Sequence, residues 1–212
     1  MNVRQEPLAA LFAQGIAALK LTLSADQCAS LLGYLQLLGK WNRVYNLTAI
    51  RDPREMITRH LLDSLAVLPY IKGPRVLDVG TGAGVPGIPL AVALPDAQFV
   101  LLDSVAKKTR FVVQAVSELG LKNVAVETQR VENYRPAELF DTVISRAYAS
   151  LAEFITAAGP LCRRDGVLLA MKGRYPQEEL AVLPAGYRLR EAARLTVPGL
   201  DEERHAICLG RE

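Results

Sequence analysis

The sequence contains few cysteines, and their spacing does not suit a cysteine-based site. Cys28, Cys162 and Cys208 are the three cysteines of this 212-residue chain. They are isolated, far apart and odd in number, so they fit neither a disulfide framework nor a zinc site. We therefore expect free thiols in the core of a cytoplasmic protein, and no bound metal.

Long apolar runs are also missing. No stretch of about 18 uncharged apolar residues occurs, so no transmembrane helix and no membrane partner are expected. Residues 1–7 lack the layout of a signal peptide. The net charge of +3 is too small to identify a nucleic-acid partner by itself. Half of the residues are hydrophobic, which suffices for the core of one domain, with or without an appended subdomain.

The chain does contain a glycine-rich stretch, residues 76–87, which reads VLDVGTGAGVPG. Residues 76–79 predict a buried strand, because β-branched and aliphatic side chains suit a pleat that is packed on both faces. The glycines that follow allow a sharp turn and a close approach of a ligand to backbone N–H groups. A helix that starts near Pro86 would complete a nucleotide site at the carboxyl edge of a sheet.

Two kinds of cofactor must be weighed for this stretch. Residues 82–87 satisfy the dinucleotide pattern G-x-G-x-x-G, and Asp103 lies at the distance of a ribose-binding acid. Two features argue against NAD: Pro86 and Pro89 lack the N–H groups that bind a pyrophosphate, and Asp78 would repel one. A carboxylate suits a cation such as the sulfonium cofactor S-adenosylmethionine. The order acid, apolar residue, Gly-x-Gly-x-Gly resembles motif I of the Rossmann-like methyltransferases.

The rest of the chain predicts a helical extension followed by an α/β sheet. Helical periodicity runs through residues 7–20, restarts after a capping box at Ser24 and Gln27, and starts again at Asp52. Strands and helices then alternate, which predicts a mostly parallel, doubly wound sheet. The predicted strands are residues 76–79, 98–103, 124–128, 140–145 and 167–171, and the predicted helices between them include 107–119 and 151–161.

The end of the chain departs from this alternation. Residues 187–197 and 204–209 predict two strands with no helix between them, hence an antiparallel pair at one edge of the sheet. Class I methyltransferases add such a pair to a nucleotide-binding sheet. We expect residues 1–72 to form the N-terminal helical extension, and residues 73–212 to form one compact S-adenosylmethionine-dependent methyltransferase domain.

Seven short motifs then occur in one order along the chain. They are WN with YNLT at 41–48, HLLDSL at 60–65, DVGTGAGVPGIP at 78–89, LDS at 102–104, RVE at 130–132, SRA at 145–147 and MKG at 171–173. The series resembles the ribosomal RNA small subunit methyltransferase G family, also called glucose-inhibited division protein B, over roughly residues 30–175. The resemblance implies methyl transfer from S-adenosylmethionine to N7 of a guanine in bacterial 16S rRNA, naked or within the 30S subunit. A monomeric enzyme is expected.

The motif and the resemblance together predict the cofactor site. Its expected residues are Asp78, Gly80, Thr81, Gly82, Gly84, Val85, Asp103, Val131, Glu132 and Arg146. The glycines would bring backbone against the cofactor, and Val85 would offer an apolar wall. Asp78 would face the ammonium group, directly or through water, or would instead bind N–H groups of the loop. Asp103 would accept both ribose hydroxyls. The resemblance places Val131 and Glu132 beside the adenine.

No general base is expected, because guanine N7 is already a lone pair and its methylation removes no proton. Arg146 is the one candidate for a catalytic role, and it would bind a cofactor carboxylate, an rRNA phosphate or a surface acid. His60 and Asp63 share a helix face and are either scaffold or RNA contacts. Trp41 and Tyr45 would stack on a base or, preferably, pack the extension on the sheet.

Basic residues near the predicted sheet edge are candidates for RNA binding, although an ordinary solvated surface explains each one individually. They are Lys107, Lys108, Arg110, Lys172 and Arg174. Two other functions stay open from the residues alone. One is an NAD-dependent oxidoreductase that uses the same glycines and Asp103, and the other is a non-enzymatic ribosome-assembly factor with a relic nucleotide pocket.

Overall fold

The structure, a computed structural model, describes residues 6–212. Residues 1–5 lie outside this range. They belong to the predicted extension and to residues 1–7, in which no signal-peptide layout was found. The helical part before the sheet consists of α1 (Glu6–Ala18), α2 (Ala25–Tyr45), α3 (Pro53–Met56), a π-helical turn (Ile57–Leu62), α4 (Asp63–Leu65) and a 3-10 turn (Leu68–Tyr70). No helix within the described range is long and apolar enough to cross a membrane.

Local sequence signals explain where these helices begin. The predicted capping box of α2 is confirmed: the Gln27 N–H donates to Ser24 Oγ at 3.1 Å, and the Ser24 N–H donates to Gln27 Oε1 at 2.8 Å. Asp52 caps α3 in the same way by accepting from the Arg54 N–H at 2.8 Å. The helix predicted from Asp52 is therefore present, but its middle widens into the π-helical turn, which sequence periodicity did not indicate.

The remaining elements form a seven-stranded sheet and its covering helices. The strands are β1 (Arg75–Val79), β2 (Gln98–Asp103), β3 (Val124–Thr128), β4 (Phe140–Ser145), β5 (Cys162–Lys172), β6 (Tyr187–Arg194) and β7 (His205–Arg211). The helices are α5 (Gly87–Ala93), α6 (Ala106–Glu118), α7 (Leu151–Ala158) and α8 (Gln177–Ala181), and 3-10 turns lie at Val131–Asn133 and Gly159–Leu161.

The strand order is β3-β2-β1-β4-β5-β7-β6. Strands β1 to β5 are parallel, and β7 pairs antiparallel with both β5 and β6. This confirms the predicted α/β class with its antiparallel C-terminal pair. The order reverses at β1, which lies between β2 and β4, and ligands of open parallel sheets bind at such a switch point.

Several element boundaries differ from the predictions, and one short helix is additional. The helix predicted for residues 151–161 ends as an α-helix at Ala158, because Pro160 has no N–H to continue it. Strand β5 starts at Cys162 rather than at residue 167, with a bulge against β4. The short helix α8 was not predicted, since five residues carry little periodicity.

The core lies on both faces of the sheet. Neighbouring residues of β1 point to opposite sides: Val76 joins the cluster that includes Phe12 and Leu31 of the extension, and Leu77 joins the cluster with Phe154 of α7. The helical extension thus shares a core with one face of the sheet and packs against α5 and α6 on that face. The prediction of free thiols is confirmed, and two of the three cysteines, at positions 162 and 208, are buried.

Candidate active site

The glycine-rich stretch forms the turn that leaves the end of β1. Gly80, Gly82 and Gly84 have φ angles of +71°, +62° and +89°, a region that residues with a Cβ rarely adopt. The N–H groups of Gly80 and Thr81 donate to the Leu102 carbonyl at 2.8 and 3.1 Å, which fastens the turn to β2. The predicted strand, turn and helix start are therefore confirmed.

The three glycines face different surroundings. A Cβ on Gly80 would lie 2.6 Å from the Ala147 Cβ, and one on Gly84 would lie 2.5 Å from Ile88 Cδ1. A Cβ on Gly82 would meet open space, with its nearest neighbour 3.9 Å away. Gly80 and Gly84 are thus required by internal packing, whereas Gly82 is the glycine of the three that leaves room for a ligand.

Asp78 lies fully buried behind this turn. Its Oδ2 accepts from the Thr81 hydroxyl at 2.6 Å and from the Gly87 N–H at 2.9 Å. Among residues 6–212 its Oδ1 has no hydrogen-bond partner. Burial raises the pKa of this carboxyl to about 6, against the lowering effect of its two hydrogen bonds. Asp78 therefore accepts from a backbone N–H group, which is one of its two expected roles. The Thr81 hydroxyl donates to the same carboxylate oxygen.

Asp103 ends β2 beside the same turn. Its Oδ2 accepts from the Gly82 N–H at 2.9 Å, its Oδ1 accepts from the Val105 N–H at 2.9 Å, and the side chain is 7% exposed. Lys108 Nζ lies 3.8 Å from Oδ2. A carboxylate oxygen accepts two hydrogen bonds, so each oxygen keeps one lone pair for a ligand hydroxyl.

The N-terminus of α5 offers little to a pyrophosphate. The Gly87 N–H is bound to Asp78, the Ile88 N–H donates to the Gly84 carbonyl at 2.8 Å, and Pro89 has no N–H. These are the groups that a dinucleotide site aims at phosphate oxygens. The geometry therefore opposes the NAD alternative, because two of these N–H groups are already bound and Pro89 lacks one, as the sequence indicated.

Two further predicted site residues are buried, and a residue from the extension contacts the glycine turn. Val85 and Val131 are buried, while Glu132 is exposed on the 3-10 turn after β3. Tyr34, fully buried in α2, donates its hydroxyl to the Ala83 carbonyl at 2.7 Å and so holds the glycine turn from outside the sheet. Sequence analysis missed Tyr34, because it occupies an ordinary core position of an amphipathic helix.

A second group of polar side chains surrounds a pocket of about 320 Å³ at the carboxyl ends of β4 and β5. We call it the basic pocket, and its charged or titratable lining residues are Arg59, His60, Asp63, Arg146, Lys172 and Arg204. They come from the π-helical turn and α4, from two strand ends, and from the residue before β7. Sequence reasoning did not single out Arg59 or Arg204, since no local pattern marks them.

Asp63 is the centre of the basic pocket. Arg146 Nη1 donates to its Oδ2 at 3.1 Å and to the Arg59 carbonyl at 3.0 Å, while Arg204 Nε donates to Asp63 Oδ1 at 3.0 Å. Asp63 is 2% exposed, and the Arg146 side chain is 28% exposed. Arg146 therefore forms a salt bridge to a buried acid rather than to a surface one, and part of its side chain still faces solvent.

His60 lies next to this pair and is 3% exposed. Its Nε2 is 3.2 Å from the Thr48 hydroxyl oxygen. Burial, and then the positive charge of Arg146, lower the pKa of the imidazole to about 4. His60 is consequently neutral near pH 7 and adds no charge to the basic pocket.

Of the other predicted RNA-binding residues, some contact groups of the protein itself and others have exposed side chains. Lys172 Nζ contacts Glu179 Oε2 at 3.0 Å and donates to the Ala149 carbonyl at 2.8 Å. The exposed members of the set are Lys107, Arg110 and Arg174. Within residues 6–212 no group of three or more His, Cys, Asp or Glu side chains is arranged to hold a metal ion.

Trp41 and Tyr45 lie in α2 and do not line the basic pocket. Their ring centroids are 5.1 Å apart, and Trp41 lies 5.7 Å from the Phe111 ring of α6. The preferred packing interpretation of Trp41 is therefore confirmed. A separate apolar cavity of about 780 Å³ lies among α1, α2 and α3, and its lining includes neither the glycine turn nor the basic pocket.

Comparison with protein families identifies relatives of the whole chain. A family described as rRNA small subunit methyltransferase G matches residues 27–208. Ribosomal RNA small subunit methyltransferase G of Nitrosococcus oceani is 54% identical over 196 residues, which are 92% of this chain and 92% of that protein. The protein of the same name from Laribacter hongkongensis is 50% identical over 210 residues, 99% of each chain.

Solved structures with the same fold are more distant in sequence. The O-methyltransferase TomG from Streptomyces achromogenes, in complex with SAM, has a TM-score of 0.57 at 19% identity and covers 90% of this chain and 92% of its own. TrmN from Thermus thermophilus has a TM-score of 0.59 at 20% identity and covers 74% of this chain and 53% of its own. At these identities the likeness concerns the fold, which is that of the class I methyltransferases.

Proposed function

The chain belongs to the rRNA small subunit methyltransferase G family, and we propose that it transfers a methyl group from S-adenosylmethionine to N7 of a guanine in 16S rRNA. The observation that carries the proposal is the turn after β1. There Gly82 leaves open space beside Asp103, a buried carboxylate lies behind the turn, and the α5 N–H groups are already bound. These features fit a cationic, ribose-bearing cofactor better than a pyrophosphate.

We propose the following residues for the cofactor. Gly82 offers bare backbone, and the free lone pairs of Asp103 accept the ribose hydroxyls. Asp78, whose Oδ1 lacks a partner, supplies a negative charge behind the turn toward the ammonium group. Val131 and Glu132 flank the adenine from the turn after β3. When bound, S-adenosylmethionine supplies a methyl group on a positively charged sulfur.

The protein's own contribution to the chemistry is positioning. Methylation of N7 removes no proton from guanine, so no general base is needed at the rim of the sheet. The candidate polar side chains at the rim are already hydrogen-bonded within the protein, which agrees with the absence of a general base. Ser145 donates its hydroxyl to the Val79 carbonyl at 2.7 Å and accepts from the Ala147 N–H at 3.0 Å, and His60 holds the Thr48 hydroxyl. Holding two reactants in reacting geometry raises their effective concentration by several orders of magnitude.

We propose that the basic pocket receives the RNA. It lies at the ends of β4 and β5, the strands next to the switch point, and its arginines suit phosphate oxygens and the acceptor edge of guanine. The exposed side chains of Lys107, Arg110 and Arg174 extend the positive surface around the rim. Either naked 16S rRNA or the 30S particle is the substrate.

The test is transfer of a tritiated methyl group from S-adenosylmethionine to 16S rRNA from a strain that lacks the enzyme. We expect one methyl group per rRNA, recovered as 7-methylguanosine by mass spectrometry of the nucleosides. Parallel reactions with naked rRNA and with 30S particles identify the form of the substrate. Cofactor binding without transfer to either form would support an assembly factor instead, and binding of NADH alone would support an oxidoreductase.

A further inference from the structure

Two of the three arginines of the basic pocket share one acid. Asp63 accepts from Arg146 at one oxygen and from Arg204 at the other, at 3.1 and 3.0 Å. Asp63 lies in α4, Arg146 directly follows β4, and Arg204 directly precedes β7. The carboxylate is 2% exposed, so its charge is weakly screened by solvent. One negative charge therefore faces two positive charges at the centre of the pocket.

The other charged groups that line the pocket are balanced by partners of their own. Arg59 pairs with Glu202, and Lys172 pairs with Glu179. His60 is neutral near pH 7, because burial and Arg146 lower its pKa. The Asp63, Arg146 and Arg204 group thus decides the local charge, and it carries one net positive charge.

A positive surface helps RNA to bind, but it opposes the methylation of N7. N7 contributes the electron pair of the new bond to the methyl carbon, and the pair of the broken sulfur–methyl bond stays on sulfur. The purine ring consequently becomes a cation, and no proton leaves to neutralise it. Arginine charges near that ring raise the energy of the transition state, and a carboxylate near them lowers it.

We propose that Asp63 is a positioning residue: through its two salt bridges it offsets the charge of Arg146 and Arg204 beside the guanine as it becomes cationic, while the two arginines bind acceptor oxygens of the rRNA. This inference rests on the proposed function and adds a division of labour within it: the arginines serve binding, and the acid serves the chemical step. The Arg146 side chain is 28% exposed, and its guanidinium binds Asp63 through Nη1 alone, so its other donors are left for the RNA.

The test compares Asp63→Asn with Asp63→Asn/Arg204→Gln. Asparagine keeps the size of the side chain and removes its charge, so the two arginines are left uncompensated. We expect kcat of Asp63→Asn to fall at least about tenfold, while KM for the rRNA stays equal or falls. Removing the Arg204 charge as well restores part of kcat, because one excess positive charge disappears. A purely structural role would make the double variant no better than the single one.

The matched control is Asp141→Asn. Asp141 is 17% exposed, accepts from the Arg75 N–H at 3.0 Å and pairs with Arg163, but it lies at the amino end of β4, whereas the pocket lies at the carboxyl end. Its kcat should equal that of the wild type. Arg204→Gln alone supplies a variant that keeps Asp63 intact, and we expect KM for the rRNA to rise about tenfold with kcat changed less than about threefold.

Affinity for S-adenosylmethionine, measured by calorimetry on every variant, should stay near the wild-type value, and the thermal unfolding midpoint of each variant shows that it is folded at the assay temperature. Methyl transfer by the wild type in the same assay verifies the proposed function separately. An unchanged kcat in Asp63→Asn, or a double variant as slow as the single one, would overturn the charge-balance inference alone. A fall of kcat at unchanged KM in Arg204→Gln would also overturn it.

Discussion

The two halves of the active site are built in different ways. The glycine turn is one continuous segment, residues 78–87, and its partner Asp103 ends the adjacent strand. The basic pocket instead joins Asp63, Arg146 and Arg204, which come from three separate parts of the chain. Local backbone conformation therefore defines the cofactor half, whereas tertiary packing defines the RNA half. Changes in the two halves should have separable effects on cofactor affinity and on turnover.

The largest expected effect comes from Gly82→Val. The residue has a φ of +62° and faces open space, so valine adds both backbone strain and bulk where the cofactor is expected. We expect affinity for S-adenosylmethionine to fall at least about 100-fold, or about 2.7 kcal/mol. Isothermal titration calorimetry measures the loss, and circular dichroism shows whether the chain is still folded.

Gly186→Val is the matched control for this prediction. Gly186 also has a positive φ, +80°, and open space around its Cβ position, but it lies before β6, outside the turn. The two substitutions should therefore cost similar stability, while only Gly82→Val should lose cofactor binding. Wild-type affinity in a folded Gly82→Val protein would remove this turn from the cofactor site.

Arg146→Lys should have the next largest effect, on turnover. Both recorded contacts of the guanidinium use Nη1, so its remaining N–H groups are left for a ligand. A lysine has one nitrogen and cannot serve Asp63 and a ligand with a fixed fork. We expect activity to fall at least about tenfold with the fold preserved, equivalent to about 1.4 kcal/mol.

Measuring cofactor affinity beside turnover assigns the ligand of Arg146. Unchanged binding of S-adenosylmethionine indicates an RNA contact, as the basic pocket leads us to expect, and weaker binding indicates the cofactor carboxylate. Arg163→Lys, which alters a salt bridge at the amino ends of β4 and β5, should retain full activity. Full activity in Arg146→Lys would reduce the role of this arginine to its salt bridge.

A smaller effect is expected for Asp103→Asn. Asparagine keeps one acceptor oxygen and replaces the other with an NH2 donor. Its side chain therefore cannot accept from both the Gly82 and the Val105 N–H groups. One fastening of the turn is lost, and one acceptor for the ribose is lost with it. We expect affinity for S-adenosylmethionine to fall about tenfold, with KM for the rRNA unchanged. A change confined to KM for the rRNA would instead place Asp103 in the RNA half of the site.

The smallest expected effect is a pH dependence in which the two halves oppose each other. The pKa of Asp78 is raised by burial to about 6, so its contribution to the free energy of unfolding decreases as pH rises from about 4 to 6. The pKa of His60 is lowered to about 4, so its contribution increases as pH rises from about 4 to 6.5. The two contributions nearly cancel in the wild type.

Asp78→Asn removes one of the two opposing contributions. The free energy of unfolding should then rise with pH between about 4 and 6.5 more steeply than in the wild type, by up to about 3 kcal/mol over the interval. Urea denaturation at several pH values measures the difference. Parallel pH profiles of the two proteins would contradict the opposing titrations.

The same difference between the two halves determines which site residues can be predicted from the sequence. The turn at Gly82 and the acid at Asp103 follow from a motif within one strand–turn–helix unit, where local conformation is decisive. The pairing of Asp63 with Arg204 spans 141 positions and depends on β7 returning antiparallel beside β5. Tyr34 is a similar case, because a buried hydroxyl that holds a distant loop has no periodicity of its own.

The most direct test of this division is a calorimetric titration of S-adenosylmethionine into three proteins: the wild type, Gly82→Val and Asp63→Asn. We predict similar affinities for the wild type and Asp63→Asn, and no measurable binding to a folded Gly82→Val protein, with NADH binding to none of them. Undiminished binding to Gly82→Val, or binding lost in Asp63→Asn alone, would contradict the assignment of the glycine turn to the cofactor and of the basic pocket to the RNA.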